Sequence, residues 1–359
     1  MVARGGIAAL VLAAGASPAA AQVDPRISAD GTVRLDGVEV PLSNFMSPEA
    51  QDYVRHLIID KPFGTPVPDL AEERARQDGI MHAFLAPMRE RYAVDIAEDR
   101  LGGVVIDVVT PTAGIAPDMA DKVLVNLHGG GFTTGARSAS LVESVPLAAL
   151  LGIRVVSVDY RMGPEHQFPA ASEDVEAVYR ALLEQYDADN IAIYGCSAGG
   201  LLAAQSIAWF EARGLPRPAA VGVLCASLSG YFGGDATALG GALIGNLPRP
   251  RAVTDRAGPP PPQGPTYMGE VDATDPLGYP LASAEVTAAF PPTLFISGTR
   301  SFEFSAALNS HNALARAGVE SAFHGWDGMF HGFIYNSELP EAREAYAIMA
   351  DFFATHLGD

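Results

Sequence analysis

From Val104 onward, short apolar runs alternate with segments of helical periodicity. The apolar runs are rich in β-branched residues and lie at 104–109, 123–127, 153–158, 191–193, 220–225 and 293–296. Helical patterns lie between and after them, at 175–182, 201–210, 303–317 and 341–353. Short apolar runs are typical of strands buried on both faces, and strands that alternate with helices form a mostly parallel sheet with helices on both sides. The sequence therefore predicts an α/β fold, whose functional sites lie at the carboxyl ends of the strands.

Two regions do not fit this alternation. Residues 22–100 are helical in pattern, rich in loops and interrupted by prolines, and we expect them to form a helical N-terminal cap over the sheet. Residues 229–290 contain paired glycines and the proline run 259–262. An irregular stretch of this length is more often a functional lid than an ordinary connection, the alternative being an excursion without a function. We therefore expect one catalytic domain over 101–359, with 229–290 as a lid-like insertion.

The first residues are typical of a targeting signal. Arg4 is the only charged residue before Asp24, and it precedes an apolar run that continues through small residues to Ala21. A charged start, a short apolar core and an A-x-A site form a secretory signal peptide, whereas a membrane anchor needs about 20 predominantly apolar residues. We expect cleavage of residues 1–21 near Ala21 and export to the periplasm or the medium without a membrane span. The alternative is a buried N-terminal helix.

The charge of the chain excludes one class of partner. The 359 residues include 23 basic and 42 acidic side chains, which give a formal net charge of −19. Nucleic-acid binding requires a basic surface against the phosphate backbone, so we expect no nucleic-acid partner. With 48% apolar residues, the chain can form a large core and is not expected to be disordered. The oligomeric state stays open between a monomer and a homo-oligomer.

The pentapeptide Gly195-Cys196-Ser197-Ala198-Gly199 is the sharpest chemical signal in the chain. It has the pattern G-x-S-x-G between a buried strand and a helix, which is the context of a nucleophile elbow. In such an elbow a strained turn exposes the serine hydroxyl above the sheet, and the flanking glycines leave room for neighbouring backbone. We therefore expect Ser197 to be a catalytic nucleophile. The alternative is a tight glycine turn with an incidental serine.

A second signal, His128-Gly129-Gly130-Gly131, follows a predicted strand. Acyl transfer passes through a tetrahedral oxyanion, which requires oriented N–H donors and a backbone without Cβ atoms near the substrate. We expect the N–H groups of Gly130, Gly131 and Ala198 to form the oxyanion hole. His128 is expected to be a structural, hydrogen-bonding residue. On its own, the glycine run would be typical of a flexible loop.

The general base is expected near the C-terminus, because the fold that carries this elbow orders its triad as serine, acid, histidine. His331 lies in a loop between the strand-like segment 321–326 and the final helical pattern, where it can approach Ser197. His324 lies within that strand-like segment and His311 within a helical pattern, which favours packed or solvated side chains. We therefore expect His331 to be the base.

Several stretches together resemble the hormone-sensitive lipase family of α/β-hydrolases, the family IV bacterial esterases. They are 128–132 (HGGGF), 160–171 (YRMGPEHQFPAA), 195–200 (GCSAGG), 275–277 (DPL) and 329–333 (MFHGF), within a similarity that extends from about residue 44 to 357. The resemblance implies a serine carboxylester hydrolase that acts on a small-molecule ester under a helical cap, with no cofactor and no metal. It also implies that the segment Tyr-Arg-x-x-Pro-Glu is structural. Within that segment, Arg161 and Glu165 are expected to form a local ion pair.

The chain departs from the family at the acid of the triad. The family's catalytic aspartate follows the strand that ends here near residue 298, and this chain has Ser301 at that position. The acid orients the imidazole and stabilises its protonated form, so a neutral residue alone would be a serious defect. Glu303 has a longer side chain, and glutamate is accepted in this role, so we expect Glu303 to be the acid. The alternatives are a Glu303 that only complements a helix dipole, and Asp327, which lies close to His331 in sequence.

Two other functions are compatible with parts of the sequence. A thiol enzyme would use Cys196, but the elbow exposes its central residue, Ser197. A catalytically impaired hydrolase that binds a small molecule would fit the neutral Ser301, although Ser197, His331 and the oxyanion glycines are retained together. Cys196 and Cys225 lie in apolar segments and are expected to be small buried hydrophobes. A disulfide between them is the alternative in an oxidising compartment.

Overall fold

In the computed structural model, the described residues are 37–61, 67–230, 232–245, 266–269 and 271–358. They belong to two units, Met1–Pro41 and Leu42–Asp359. The described residues of the first unit, 37–41, have no regular secondary structure. The predicted signal peptide, residues 1–21, lies outside the described residues, as does the proline run 259–262.

The second unit has a mostly parallel sheet. Its strands are β1 (Val94–Leu101), β2 (Val104–Pro111), β3 (Val123–Leu127), β4 (Arg154–Val158), β5 (Ile191–Cys196), β6 (Ala220–Leu224), β7 (Thr293–Gly298) and β8 (Ser321–Trp326). Within the described ranges these eight strands have the order β1-β2-β4-β3-β5-β6-β7-β8. Strand β2 runs antiparallel to both of its neighbours, and the other adjacent pairs are parallel.

Helices precede and connect the strands. They are α1 (Pro48–Asp60), α2 (Leu70–Arg91), α3 (Ala139–Leu151), α4 (Ala170–Leu182), α5 (Ala198–Ala212), α6 (Gly234–Leu243), α7 (Ala284–Ala288), α8 (Phe304–Arg316) and α9 (Pro340–His356). A 3₁₀ turn, Phe333–Tyr335, follows β8. In the part of the chain that the structure describes, no helix is both long enough and apolar enough to cross a lipid bilayer.

Alternate residues of the parallel strands enter two separate cores, one on each face of the sheet. In β5, Ile191 and Ile193 pack with α4 and α5, whereas Ala192 and Tyr194 pack with α3 and α9. Successive side chains of a strand point to opposite faces, so both faces of an inner strand must be apolar when helices cover both. The predicted α/β fold with helices on both faces is confirmed.

The sheet starts earlier in the chain than the sequence predicted. Strand β1 begins at Val94, so residues 94–100 of the region predicted as cap belong to the sheet. This strand lies at the edge and exposes most of its side chains, among them Glu98, Asp99 and Arg100. Charged side chains are common on edge strands, where they discourage pairing with another chain. The strand therefore lacks the apolar run that marks the inner strands.

The described parts of the predicted insertion 229–290 are more regular than expected. They contain α6 and α7. Helix α6 includes Gly240, and because glycine is a poor helix former, the sequence pattern did not predict this helix. The glycine allows close packing, because a Cβ atom at Gly240 would lie 3.0 Å from the carbonyl oxygen of Arg300. Helix α6 therefore packs directly on the loop that follows β7.

Candidate active site

The turn between β5 and α5 holds Ser197 in a strained conformation. Ser197 has φ 56° and ψ −122°, which costs a residue with a Cβ atom about 1–3 kcal/mol. Its N–H donates to the carbonyl oxygen of Leu224 at 2.9 Å. A Cβ atom at Gly199 would lie 1.7 Å from the carbonyl oxygen of Leu127, so the turn packs against the end of β3 only with glycine there. The sequence thus forms the predicted elbow at the carboxyl end of β5.

Ser197, His331 and Glu303 form a chain of hydrogen bonds. Ser197 Oγ lies 2.9 Å from His331 Nε2, and His331 Nδ1 lies 2.9 Å from Glu303 Oε2. The three residues follow β5, β8 and β7 respectively. Because the carboxyl ends of parallel strands meet at one edge of the sheet, side chains far apart in sequence come together there. The structure brings together the three residues that the sequence analysis selected.

Two serines hold the buried Glu303. Ser297 Oγ donates to Glu303 Oε1 at 2.9 Å, and Ser301 Oγ donates to Oε2. Ser301 Oγ also lies 3.4 Å from His331 Nδ1. Burial alone would raise the pKa of Glu303, but the charge of His331 and the hydrogen bonds from His331 and Ser301 outweigh it and lower this pKa. The carboxylate is therefore ionised, and Ser301 supports it from the position of the family's aspartate.

His331 lies between this carboxylate and an aromatic ring. Its side chain is 25% exposed, and the ring of Phe302 stacks on it with centroids 4.5 Å apart. Burial lowers the pKa of His331, but the charge and hydrogen bond of Glu303 dominate and raise this pKa to about 8. Asp327, the alternative acid, instead accepts a hydrogen bond from Thr299 Oγ1 at 2.9 Å.

The glycine loop after β3 packs beside the elbow. A Cβ atom at Gly129 would lie 2.9 Å from the carbonyl oxygen of Cys196. Gly130 has φ 118°, and a Cβ atom there would lie 2.1 Å from the carbonyl oxygen of Thr134. Among the described residues, no acceptor takes the N–H of Gly130 or Gly131. The N–H of Ala198 is one of the donors that the start of a helix leaves without an intrahelical partner.

His128 stabilises this loop from within the core. Its Nδ1 lies 2.8 Å from the carbonyl oxygen of Gly129, and its ring stacks on Tyr160 with centroids 4.2 Å apart. The hydroxyl of Tyr160 donates to the carbonyl oxygen of His128 at 2.6 Å. Burial lowers the pKa of His128 to about 4, so the imidazole is neutral. The expectation of a structural, hydrogen-bonding residue is confirmed.

An apolar cavity of about 610 Å³ adjoins the glycine loop and the first turn of α5, the helix that follows the elbow. Gly131 and Phe132 line it from the loop, Leu201 from the first turn of α5, and Phe232 and Tyr267 from the 229–290 region. The rings of Phe132 and Tyr267 stack with centroids 4.5 Å apart. A cavity of this size with mainly apolar walls is typical of a small-molecule site.

The predicted ion pair between Arg161 and Glu165 is wrong. Arg161 pairs with Glu173 and Asp174 of α4, each at 2.9 Å, and its backbone N–H also donates to Asp174 at 2.7 Å. Glu165 pairs with Arg74 of α2 at 2.7 Å. Glu173 and Asp174 both bind the guanidinium of Arg161, and Asp174 also accepts its backbone N–H. Arg161 therefore pairs with α4 rather than with the carboxylate of Glu165.

Arg74 links α2 to two loops that follow strands of the sheet. Its guanidinium donates to the carbonyl oxygens of Thr133 at 2.8 Å and Gly163 at 3.1 Å, in addition to Glu165. We expect Arg74→Ala to lower the free energy of unfolding by about 1–3 kcal/mol. Glu165→Ala should cost less than about 1 kcal/mol, because it removes only a partly exposed ion pair. Urea unfolding of both variants measures the difference, and equal losses would contradict a role for the two carbonyl contacts.

Two further features of the described residues concern the cysteines and possible metal-binding clusters. Cys196 and Cys225 are buried and unpaired, as expected. Within the ranges described, no group of three or more His, Cys, Asp or Glu side chains is placed to bind a metal ion. Ser197, not Cys196, is the elbow residue that contacts His331.

Two buried polar residues at the site were not anticipated from the sequence. Ser297 is the penultimate residue of β7, and its hydroxyl donates to Glu303 Oε1. Glu143 lies in α3 and accepts the N–H of Gly129 at 2.9 Å. A single acid within the apolar segment 139–151 was the available signal, because carboxylates are rarely buried without dedicated partners.

Comparisons with known sequences identify relatives over most of the chain. A family model described as alpha/beta hydrolase fold matches residues 124–335. An acetyl-hydrolase of Streptomyces hygroscopicus is 30% identical over 281 residues, which cover 75% of this chain and 90% of that protein. The esterase LipI of Mycobacterium tuberculosis is 31% identical over 238 residues, which cover 64% of this chain and 71% of that protein.

Solved structures give the same result. The crystal structure of an esterase, E25, matches with a TM-score of 0.72 and 28% identity, over 91% of this chain and 99% of that chain. The crystal structure of an esterase from the bacterial hormone-sensitive lipase family matches with a TM-score of 0.72 and 26% identity, over 87% of this chain and 99% of that chain. From the fold, the motifs and these relatives together, the chain belongs to the hormone-sensitive lipase family of α/β-hydrolases and is a carboxylesterase-type hydrolase.

Proposed function

We propose that the protein hydrolyses carboxylic esters through an acyl-enzyme on Ser197, with His331 as general base and Glu303 as the acid of the triad. The observation that carries this proposal is the hydrogen-bonded chain from Ser197 Oγ through both nitrogens of His331 to Glu303, with 2.9 Å at each contact. A serine nucleophile requires a base within hydrogen-bonding distance and a third group that orients the base.

Each step of the reaction uses groups of this chain. His331 Nε2 takes the hydroxyl proton as Ser197 Oγ attacks the ester carbonyl carbon, and the N–H groups of Gly130, Gly131 and Ala198 stabilise the oxyanion. The bond to the alcohol oxygen then breaks, and His331 gives that oxygen the proton. Water, deprotonated by His331, attacks the acyl carbon, and the acid leaves as Ser197 Oγ regains a proton. The adjacent ionised carboxylate stabilises the imidazolium throughout.

The apolar cavity beside the glycine loop favours a small ester with an apolar group as the substrate. Its walls are formed mainly by Phe132, Leu201, Phe232, Tyr267 and other apolar side chains. Burial of apolar substrate surface against such walls favours binding by about 25 cal/mol per Å². An apolar acyl or alcohol group therefore supplies binding energy that a charged group would not.

The contact between Glu303 and His331 argues against a binding protein without catalysis. That alternative rested on the neutral Ser301 at the family's aspartate position. Glu303 now contacts His331 Nδ1 at 2.9 Å and supplies the missing charge. A complete triad supports turnover rather than binding alone.

Covalent labelling and turnover test the proposal together. We expect the purified chain to hydrolyse p-nitrophenyl acetate or butyrate and to be inactivated by a fluorophosphonate. The mass spectrum of a proteolytic digest should show one adduct, on the peptide that contains Ser197. Binding of the esters without turnover would favour the binding protein, and an adduct on another residue would remove Ser197 as the nucleophile.

The ionisation of His331 predicts how turnover depends on pH. Burial lowers the pKa of His331, but Glu303 outweighs it and raises this pKa to about 8. Only the neutral imidazole can take the proton of Ser197, so kcat/KM should fall as the pH decreases below about 8, and the loss from this one protonation approaches about tenfold per pH unit. Initial rates with a neutral ester, measured across pH, give this fall of kcat/KM on the acid side of the profile. A flat profile from about pH 9 to about pH 6 would contradict His331 as the base.

A further inference from the structure

A buried carboxylate lies where three active-site segments meet. Glu143, in the middle of α3, is 1% exposed. Its Oε1 accepts hydrogen bonds from the N–H of Gly129 and the hydroxyl of Tyr335, both at 2.9 Å. Its Oε2 accepts hydrogen bonds from Asn126 Nδ2 at 2.9 Å and from the N–H of Cys196 at 3.2 Å. Four donors from three separate segments therefore converge on one side chain.

Three of these donors belong to the segments that carry the reacting groups. Gly129 begins the glycine loop, Cys196 directly precedes Ser197, and Tyr335 lies in the 3₁₀ turn that follows His331. The segments are also in direct contact, because a Cβ atom at Gly129 would lie 2.4 Å from the hydroxyl oxygen of Tyr335. A shift of any one segment would break a hydrogen bond to the carboxylate.

We propose that Glu143 is a positioning residue for ester hydrolysis, whose carboxylate fixes the glycine loop, the nucleophile turn and the histidine segment relative to one another. This inference rests on the proposed function of Ser197 and His331. It assigns Glu143 no contact with the substrate. Glu143 acts on the distances between Ser197, His331 and the oxyanion donors through its hydrogen bonds to the backbone of Gly129 and Cys196.

The ionised form is the one that can hold all four donors. A carboxylate only accepts hydrogen bonds and has about four lone-pair sites, which match the four donors here. A protonated carboxyl group becomes a donor at one oxygen, and among the four partners neither backbone N–H can accept from it. Protonation of Glu143 would therefore remove one of the four acceptor sites, and the N–H of Gly129 or of Cys196 would then face a carboxyl hydroxyl, which is a weaker acceptor than a carboxylate oxygen.

The surroundings of Glu143 make its ionisation sensitive to pH. Burial raises the pKa of Glu143 to about 7, while its four hydrogen bonds oppose the rise. The other titratable groups that face it are Tyr194 and Cys196 of β5, Tyr335 and Tyr346, and burial raises the pKa of each, so they are neutral.

Glu143→Gln is the direct test. Glutamine preserves the shape but replaces one acceptor with an NH₂ donor, so it leaves the N–H of Gly129 or of Cys196 without an acceptor. We expect kcat for p-nitrophenyl butyrate, counted per fluorophosphonate-labelled site, to fall by about 10- to 100-fold, as small misplacements of reacting groups do. KM should change much less, because the loss lies in the transition state. Labelling of Ser197 should persist, although more slowly.

The pH profile separates positioning from a purely structural role. In the unmodified chain, kcat/KM should steepen below about pH 7, where Glu143 takes up a proton in addition to His331. In Glu143→Gln this additional steepening should be absent. A variant that is merely less stable would lose labelled sites, but each remaining site would keep its normal kcat and pH profile.

Glu341→Gln is the matched control. Glu341 is 8% exposed and accepts hydrogen bonds from the N–H of Ser47 at 2.6 Å and from its hydroxyl at 3.0 Å, which join α9 to the start of α1. The same chemical change is thus made at another buried carboxylate that binds one backbone N–H and one hydroxyl. We expect a normal kcat per labelled site for this variant.

Tyr335→Phe is a second variant that tests the inference if Glu143→Gln does not fold. It removes one hydroxyl donor, which raises the pKa of Glu143 and moves the steepening of the profile to higher pH. A normal kcat per labelled site with an unchanged profile in every variant of Glu143 or Tyr335 that folds would overturn the inference. Failure of the unmodified chain to be labelled at Ser197 would instead overturn the proposed function.

Discussion

Replacing Ser197 with alanine is expected to lower kcat for ester hydrolysis by about a millionfold, as removal of the catalytic serine does in a serine protease. The alanine variant has no group that can form the acyl-enzyme, so water must attack the ester directly. The remaining rate would come from binding and from the N–H groups that stabilise the oxyanion. Initial rates with p-nitrophenyl butyrate, together with fluorophosphonate labelling, measure the loss.

Ser206→Ala is a matched control for this substitution. Ser206 lies in α5, the helix that follows Ser197, is fully buried and donates its hydroxyl to the carbonyl oxygen of Leu202 at 2.7 Å. The control therefore makes the same chemical change without touching His331, and we expect normal kcat. If Ser197→Ala retained a kcat within about tenfold of the unmodified chain, or were still labelled, Ser197 would not be the nucleophile.

The inner strands and the nucleophile could be predicted because their signals are local. A parallel strand covered on both faces needs apolar side chains on both, so β3, β5 and β7 are evident as short, mostly apolar runs. The elbow needs a serine between glycines, and Gly199 shows why, since any Cβ atom there would overlap Leu127. Strand β1 was missed because an edge strand exposes most of its side chains and carries charge.

The polar partners could not be predicted because they are set by tertiary packing. Glu165 lies close to Arg161 in sequence but pairs with Arg74, 91 residues away. Glu143 likewise binds Tyr335, 192 residues away. Local sequence distance does not determine which donors a buried or half-buried carboxylate meets, since helices and loops from distant parts of the chain pack on it.

The prediction that Glu303 is the acid rested on the length of its side chain, because Ser301 occupies the position where the family has its aspartate. Glu303→Gln is expected to lower kcat by about 10⁴-fold, because a neutral amide neither stabilises the imidazolium nor enforces the tautomer that leaves Nε2 free to accept the Ser197 proton. The charge of Glu303 also raises the pKa of His331, so the acid limb of kcat/KM should move to lower pH in the variant. Measurement of kcat and of kcat/KM across pH checks both effects, and near-normal kcat would remove Glu303 from the triad.

Ser301→Asp in the Glu303→Gln background tests whether the acid has moved along the loop. Ser301 Oγ already lies 3.4 Å from His331 Nδ1, and an aspartate oxygen extends one bond further from the backbone. We therefore expect the double variant to recover at least about 100-fold of the lost kcat, a substantial part of the effect of the triad acid. With Glu303 intact, Ser301→Asp should lower activity, because Ser301 contacts Glu303 Oε2 and two carboxylates there would repel each other. Recovery in one background and loss in the other would show that the loop accommodates one carboxylate, at either position. If Ser301→Asp gave low kcat in both backgrounds and both variants were folded, only a carboxylate at residue 303 could orient His331.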